Sequence, residues 1–122
     1  MSYVKAHLKL DAWSKSMDLV VDIYETTISF PNNEQYGLVS QLRRASVSIP
    51  SNIAEGAARN SNKEYIQFLY IALGSCSEID TQILLCQRIK FISDEKANYL
   101  LTKIDEVHRL LNGLIKYRKS KI

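Results

Sequence analysis

Four stretches of this chain place apolar residues every three or four positions, and no stretch places them convincingly every two. That pattern argues against a β architecture, because a half-buried strand alternates whereas a half-buried helix repeats at 3.6 residues. In the first stretch Trp13, Met17, Val20, Val21, Tyr24 and Ile28 share one stripe, with Asp11 placed as a cap. Pro31 ends it, since the residue before a proline is pushed out of the helical region. The second begins near Asn32 or Asn33, where Asn32 and Gln35 have capping-box spacing. The third opens at Ser61, and Ser61-Asn62-Lys63-Glu64 is a stronger capping box. Tyr65, Phe68, Leu69, Ala72, Ile79, Ile83 and Cys86 line its main face. Ile66, Tyr70, Leu73, Leu84 and Leu85 widen that face, as expected of a helix with partners on more than one side. The fourth opens at Ser93, has Asp94 and Glu95 at the positive end of its dipole, and carries Ala97, Leu100, Leu101, Ile104, Val107, Leu111, Leu114 and Ile115 as its stripe. Connections of roughly two to six residues favour antiparallel neighbours. The expectation is one all-α domain over residues 1–122, an antiparallel up-and-down four-helix bundle with helices at about 12–28, 34–59, 62–91 and 94–118.

Within the second helix lies "SIPSNIAEGAARNS", residues 48–61, where a proline and a glycine interrupt helical spacing. Such a string could be a strained catalytic loop, a phosphate-binding turn or a bent packing helix. Leu38, Leu42, Ala45, Ile49, Ile53 and Gly56 keep one face across Pro50, and Arg44, Ser48, Ser51, Glu55 and Arg59 keep another. A new helix starting at Pro50 would need Ile49 as its N-cap, a poor one. A continuous helix kinked at Pro50 is therefore expected. Its small residues, Gly56 among them, fit close packing against a matching run in the third helix around Gly74. Glu78 is a candidate partner for Arg43 or Arg44 across that contact, the alternative being that all three are solvated. Glu55 and Arg59 are spaced as an i, i+4 pair.

The chemistry-bearing residues form no catalytic or metal-ligating pattern. His7 and His108 are the two histidines, and no H-x-x-x-H, E-x-x-H or C-x-x-C pair occurs. Asp105 and His108 have the spacing of one half of a di-metal motif without a second copy. No G-x-S-x-G elbow or Walker-type phosphate loop is present. No catalytic residue, metal site, cofactor or small-molecule substrate is expected. Cys76 and Cys86 lie about 15 Å apart along one helix, too far for a bridge, which suits a reducing cytoplasm. "MSYVKAHLKLDAWSK" has no apolar core of a leader, and no apolar run is long enough for a membrane helix.

The net charge of +3 is a mild bias toward anionic partners. It is uneven: "KYRKSKI" holds Lys116, Arg118, Lys119 and Lys121 with no acid, either a frayed solvated end or a nucleic-acid contact. Arg88 with Lys90 and Arg43 with Arg44 are smaller clusters.

The strings Tyr36-Gly37-Leu38, Gln41-Leu42-Arg43-Arg44-Ala45, Ser48-Ile49-Pro50, Asn52-Ile53-Ala54-Glu55-Gly56 and Gly74-Ser75 with Glu78 carry a resemblance. Together with Trp13, Phe30-Pro31, Arg59 and Phe68-Leu69, they resemble the bacterial four helix bundle family of 23S ribosomal RNA intervening-sequence proteins, over about residues 8 to 85. The resemblance implies an antiparallel bundle that assembles into a ring-like homopentamer, with no recognised catalytic residues. A similar protein, the accessory variability determinant of diversity-generating retroelements, binds nucleic acid and a reverse transcriptase through a basic surface. The functional expectation is a non-enzymatic oligomeric scaffold that contacts RNA or an RNA-handling protein. Arg43, Arg44, Arg88, Lys90, Lys116, Arg118, Lys119 and Lys121 are its candidate contacts. The alternative is a protein-interaction bundle without nucleic acid.

Overall fold

The computed structural model describes residue 7 and residues 10–122, so part of the stretch read for a leader lies outside the described residues. Four helices form: α1 (Asp11–Thr27), α2 (Leu38–Ala57), α3 (Asn62–Arg88) and α4 (Asp94–Lys119), with a short 3-10 turn at Asn32–Glu34 and no strand among the described residues. Each helix packs on its neighbours in chain order, and α1 also meets α4, closing the bundle. The pairings fix an antiparallel sense. Lys15, early in α1, reaches Glu106, at the middle of α4, while Asp22, late in α1, accepts from the Tyr99 hydroxyl near the start of α4. At one end Phe30 and Phe91, from the two connections there, meet edge to face at 5.3 Å.

The helix starts are chemical. Ser61 Oγ accepts the Glu64 amide at 3.2 Å and Ser93 Oγ accepts the Lys96 amide at 3.0 Å, each satisfying one first-turn donor. Two expected starts are corrected. Asp11 is the first residue of α1 and not its cap, a place taken by Leu10 without a side-chain bond. The box at Asn32 does not form, because Asn32–Glu34 tightens into the 3-10 turn. Glu34 instead reaches forward, its Oε1 accepting the Leu38 amide at 3.3 Å, and α2 starts four residues later than expected.

α2 runs unbroken through Pro50, which neither ends it nor starts a new helix after Ile49. The proline withholds the donor that the Ser46 carbonyl would otherwise meet, and a bend there is what that loss would be expected to produce.

α3 stops at Arg88, three residues before the expected end. Lys90 takes a left-handed backbone with φ of 65°, and the Phe91 amide turns back onto the Cys86 carbonyl at 2.9 Å. This is the glycine position of a helix C-terminus, occupied here by a residue with a Cβ. Lys90→Gly is therefore expected to raise stability by about 1 kcal/mol, read as a shift of the urea midpoint at unchanged slope. A neutral or lower midpoint would mean that the lysine side chain offsets its backbone strain.

The core is built from the expected stripes of α2, α3 and α4: Leu42, Ile49, Ile53, Leu69, Ile79, Ile83, Leu100, Ile104 and Leu111 are essentially without exposure. For α1 the stripe is corrected by one residue. Its buried face is Ala12, Ser16, Leu19, Ile23 and Thr27, while Met17, Val21, Tyr24 and Ile28 are exposed and Trp13 and Val20 half-buried. The polar members of the buried face are satisfied by their own helix. Ser16 Oγ donates to the Trp13 carbonyl and Thr27 Oγ1 to the Ile23 carbonyl, both at 2.8 Å. A hydroxyl bonded in this way no longer costs a buried donor, and the more apolar face is left outside.

Close approach of α2 and α3 occurs at Gly56. A Cβ there would lie 3.0 Å from Phe68 Cβ and from Tyr65 Cδ1, and 3.1 Å from the Tyr65 carbonyl oxygen. Farther along, Ser75 Oγ donates to Ser48 Oγ at 3.0 Å. The matching role expected of Gly74 is not present within the chain, since Gly74 is exposed with nothing within 4 Å of its Cβ direction. Glu78 pairs with neither Arg43 nor Arg44. It is exposed and accepts from Gln82 Nε2 at 3.2 Å, because it lies on the outer side of α3.

Candidate nucleic-acid interface

Antiparallel packing sorts the eight basic candidates between the two ends of the bundle. The last turns of α4 come beside the first turn of α3, where Arg118 Nη1 donates to Asn62 Oδ1 at 3.2 Å. Lys116, Lys119 and Lys121 are exposed at this end. The fold adds Arg59, from the end of α2, and Lys63, from the start of α3, neither singled out from the sequence as a contact. Arg59 does make its expected pair, Nη2 to Glu55 Oε1 at 2.7 Å, and its guanidinium sits 4.8 Å from the Phe68 ring centre. Tyrosines interleave with the charges. Lys119 Nζ lies 5.3 Å from the Tyr70 ring centre, Lys121 Nζ 5.1 Å from that of Tyr117, and the Arg118 guanidinium 4.4 Å from that of Tyr65. Tyr70 and Tyr117 are about half exposed, so the end offers both positive charge and aromatic faces. Part of this charge is structural as well: Lys116, Arg118 and Lys119 sit in the last turn of α4, where the dipole is negative.

Arg88 and Lys90 lie at the opposite end, both exposed, and Arg44 is exposed on the second turn of α2. Arg43 turns inward and is reassigned as a tie between helices. Its Nε donates to Thr27 Oγ1 at 2.9 Å, Nη2 to the Tyr24 carbonyl at 3.4 Å, and its guanidinium lies 4.5 Å from the Tyr24 ring centre. Thr27 Oγ1 thus donates within α1 and accepts from α2, so the guanidinium is consumed by the fold. From the sequence, Arg43 and Arg44 look alike; one residue is 100° of helix rotation, which separates inside from outside.

The remaining reactive groups do not converge. No group of three His, Cys, Asp or Glu residues able to hold a metal ion occurs among the described residues. His108 Nδ1 lies 3.1 Å from Asn112 Nδ2 on its own helix. Cys76 and Cys86 are buried and unbridged. Burial, helped by Asp80, pushes the Cys76 thiol up to about 12, and burial, helped by Glu34, pushes Cys86 up to about 11, from 9.0. Both are therefore thiols at neutral pH. Ellman's reagent should modify the native chain at least about 100-fold more slowly than the urea-unfolded chain at pH 8. Stability held below pH 9 is lost as pH rises from 9.0 towards 11 and 12, because only the unfolded chain ionises there. Rapid native labelling would show that the thiols are reached in the folded chain.

The fold and this end define an all-α four-helix bundle protein with a basic pole studded with tyrosines. No helix among the described residues is long and apolar enough to cross a membrane. A family model described as 23S rRNA-intervening sequence protein matches residues 8–113, and the chain belongs to that family. The match stops short of Lys116, so the four C-terminal basic residues lie beyond it. A crystal structure of a protein of unknown function from the S23 ribosomal protein family, from Bacteroides thetaiotaomicron, superposes with a TM-score of 0.76 at 28% identity. The similarity covers 86% of this chain and 98% of that one. None of the curated proteins matches.

Proposed function

We propose that the chain is a non-enzymatic scaffold of the cytoplasm that assembles into a ring-like homopentamer and holds structured RNA on its basic poles. The observation that carries this reading is the gathering of Lys116, Lys119 and Lys121 with Arg59, Lys63 and two exposed tyrosines at one end of a rigid bundle. Positive side chains there can neutralise phosphates, and tyrosine faces can stack on unpaired bases. A ring repeats this sparse charge around one particle, which makes +3 per chain consequential. Arg44, Arg88 and Lys90 would form a second, weaker contact toward the other pole.

Light scattering should return five times the 14.0 kDa chain mass. On that particle, binding of a structured RNA should weaken about 100-fold between 50 and 200 mM salt, and Lys116→Glu with Lys119→Glu and Lys121→Glu should remove it at the lower salt. An intact oligomer that fails to bind at low salt, or that binds independently of salt, overturns the RNA reading. The first of those outcomes favours a scaffold for proteins alone, for which the exposed apolar face of α1 offers a surface.

A further inference from the structure

At the basic pole the α2–α3 connection folds over a cavity of about 230 Å³ lined by Leu10, Ala57, Arg59, Asn60, Ser61, Asn62, Tyr65 and Arg118. Three independent features of its wall are donors without acceptors. Tyr65 is only 5% exposed, and its hydroxyl finds no acceptor among the described residues. Arg118 Nε is likewise buried and without an acceptor among the described residues. The Arg118 guanidinium lies 4.4 Å from the Tyr65 ring centre. Finally, the cavity sits at the N-terminus of a helix of 27 residues, whose Asn62 and Lys63 amides find no acceptor among the described residues.

Leaving a buried donor unpaired costs about 1–3 kcal/mol, so two in one small cavity call for a cause. Tyr65 belongs to the first turn of α3, where long side chains lean back toward the helix N-terminus and hence toward this cavity. Burial raises the Tyr65 pKa, an effect opposed by the Arg118 charge and by an Arg118 donor near the hydroxyl oxygen, so the hydroxyl keeps its own proton to donate at neutral pH. The nearby acids are engaged: Glu55 holds Arg59 at 2.7 Å, and Glu64 Oε1 lies 3.5 Å from Ser61 Oγ. What the wall lacks is an oxyanion that accepts from several donors at once.

We propose that this cavity is a phosphate subsite, in which Tyr65 Oη, Arg118 and the first-turn amides of α3 receive the oxygens of one phosphate group. Set among the C-terminal lysines, it would seat one phosphodiester of bound RNA, an assignment that rests on the RNA reading above; a free phosphate-bearing small molecule has the same chemistry. Tyr65→Phe is the informative variant, because it deletes only an unpaired hydroxyl and should leave the fold as stable as before or more so.

Titration calorimetry with inorganic phosphate against chloride at matched ionic strength, and RNA shift assays on the same samples, test both layers. The unaltered chain should bind inorganic phosphate, and Tyr65→Phe should weaken both phosphate and RNA affinity by about tenfold. Arg118→Gln should weaken both further. If phosphate binds in a Tyr65-dependent way but RNA does not bind, the subsite stands, the free small molecule is its source, and the RNA reading falls. If RNA binds but Tyr65→Phe changes neither affinity by more than about twofold, the subsite is refuted while the RNA reading stands.

Discussion

Gly56→Leu is expected to lower the stability of the folded chain by about 2–3 kcal/mol, because it overpacks the α2–α3 contact. Two terms oppose each other. Leucine or alanine in place of glycine gains up to about 1 kcal/mol from helix propensity. Against this, the first atom added at position 56 already meets two side-chain carbons at 3.0 Å and the Tyr65 carbonyl oxygen at 3.1 Å. The carbonyl belongs to α3 and cannot rotate away, so α2 must move off, opening the interface along its length. If the leucine variant does not fold, Gly56→Ala should, with a loss of about 1 kcal/mol. The control is Gly74→Ala, in helix interior with open space around it, which should gain about 1 kcal/mol. Urea midpoints at one protein concentration read all three. A stabilised Gly56→Ala would show that the two helices can separate at little cost.

Met17→Glu combined with Val47→Glu should convert the proposed pentamer into folded monomers. The two side chains face a groove of about 360 Å³ between α1 and α2, lined by Trp13, Met17, Val20, Val47, Pro50, Ser51 and Ala54. In the single chain Met17 and Val47 are about 40% exposed, so a carboxylate at either position stays hydrated and should cost the bundle less than about 0.5 kcal/mol. In an interface the same carboxylates would be stripped of water without a partner, at several kcal/mol each. That is enough to dissociate a ring at micromolar concentration. Light scattering with circular dichroism on the same sample reads mass and helicity separately. Unchanged mass would show that this groove is not where copies meet, and the outer face of α3, with Tyr70, Ile71 and Leu85 exposed, would be the next surface to alter.

Arg43 shows the limit of reading charge from the sequence. Its side chain is as basic as that of Arg44, yet it is held by Thr27 and Tyr24 on another helix, sixteen and nineteen residues earlier. The α1 stripe failed for a related reason. Hydropathy counts Ser16 and Thr27 as polar, but in a helix their hydroxyls bond to the carbonyls of the preceding turn, and both are buried. Gly74 and Glu78 were misjudged because small size and charge suggest a contact without saying which face of α3 carries them. Gly56 was read correctly because apolar positions on both sides of it fixed the face. The pole's cavity was not legible at all, since Arg59, Asn62, Tyr65 and Arg118 come together only when α4 ends beside the start of α3.

The sequence by itself determined four helices, three of their four buried faces, the serine caps at Ser61 and Ser93, and the family. These follow from local spacing, from side chains that bond within one turn, and from long matched strings. The tertiary structure decided which face of α1 is buried, which arginine is a tie, and which tyrosine and guanidinium are left with unpaired donors. Those outcomes depend on which residues distant in the chain are brought within about 4 Å, and hydrogen bonding and van der Waals contact act only at that range.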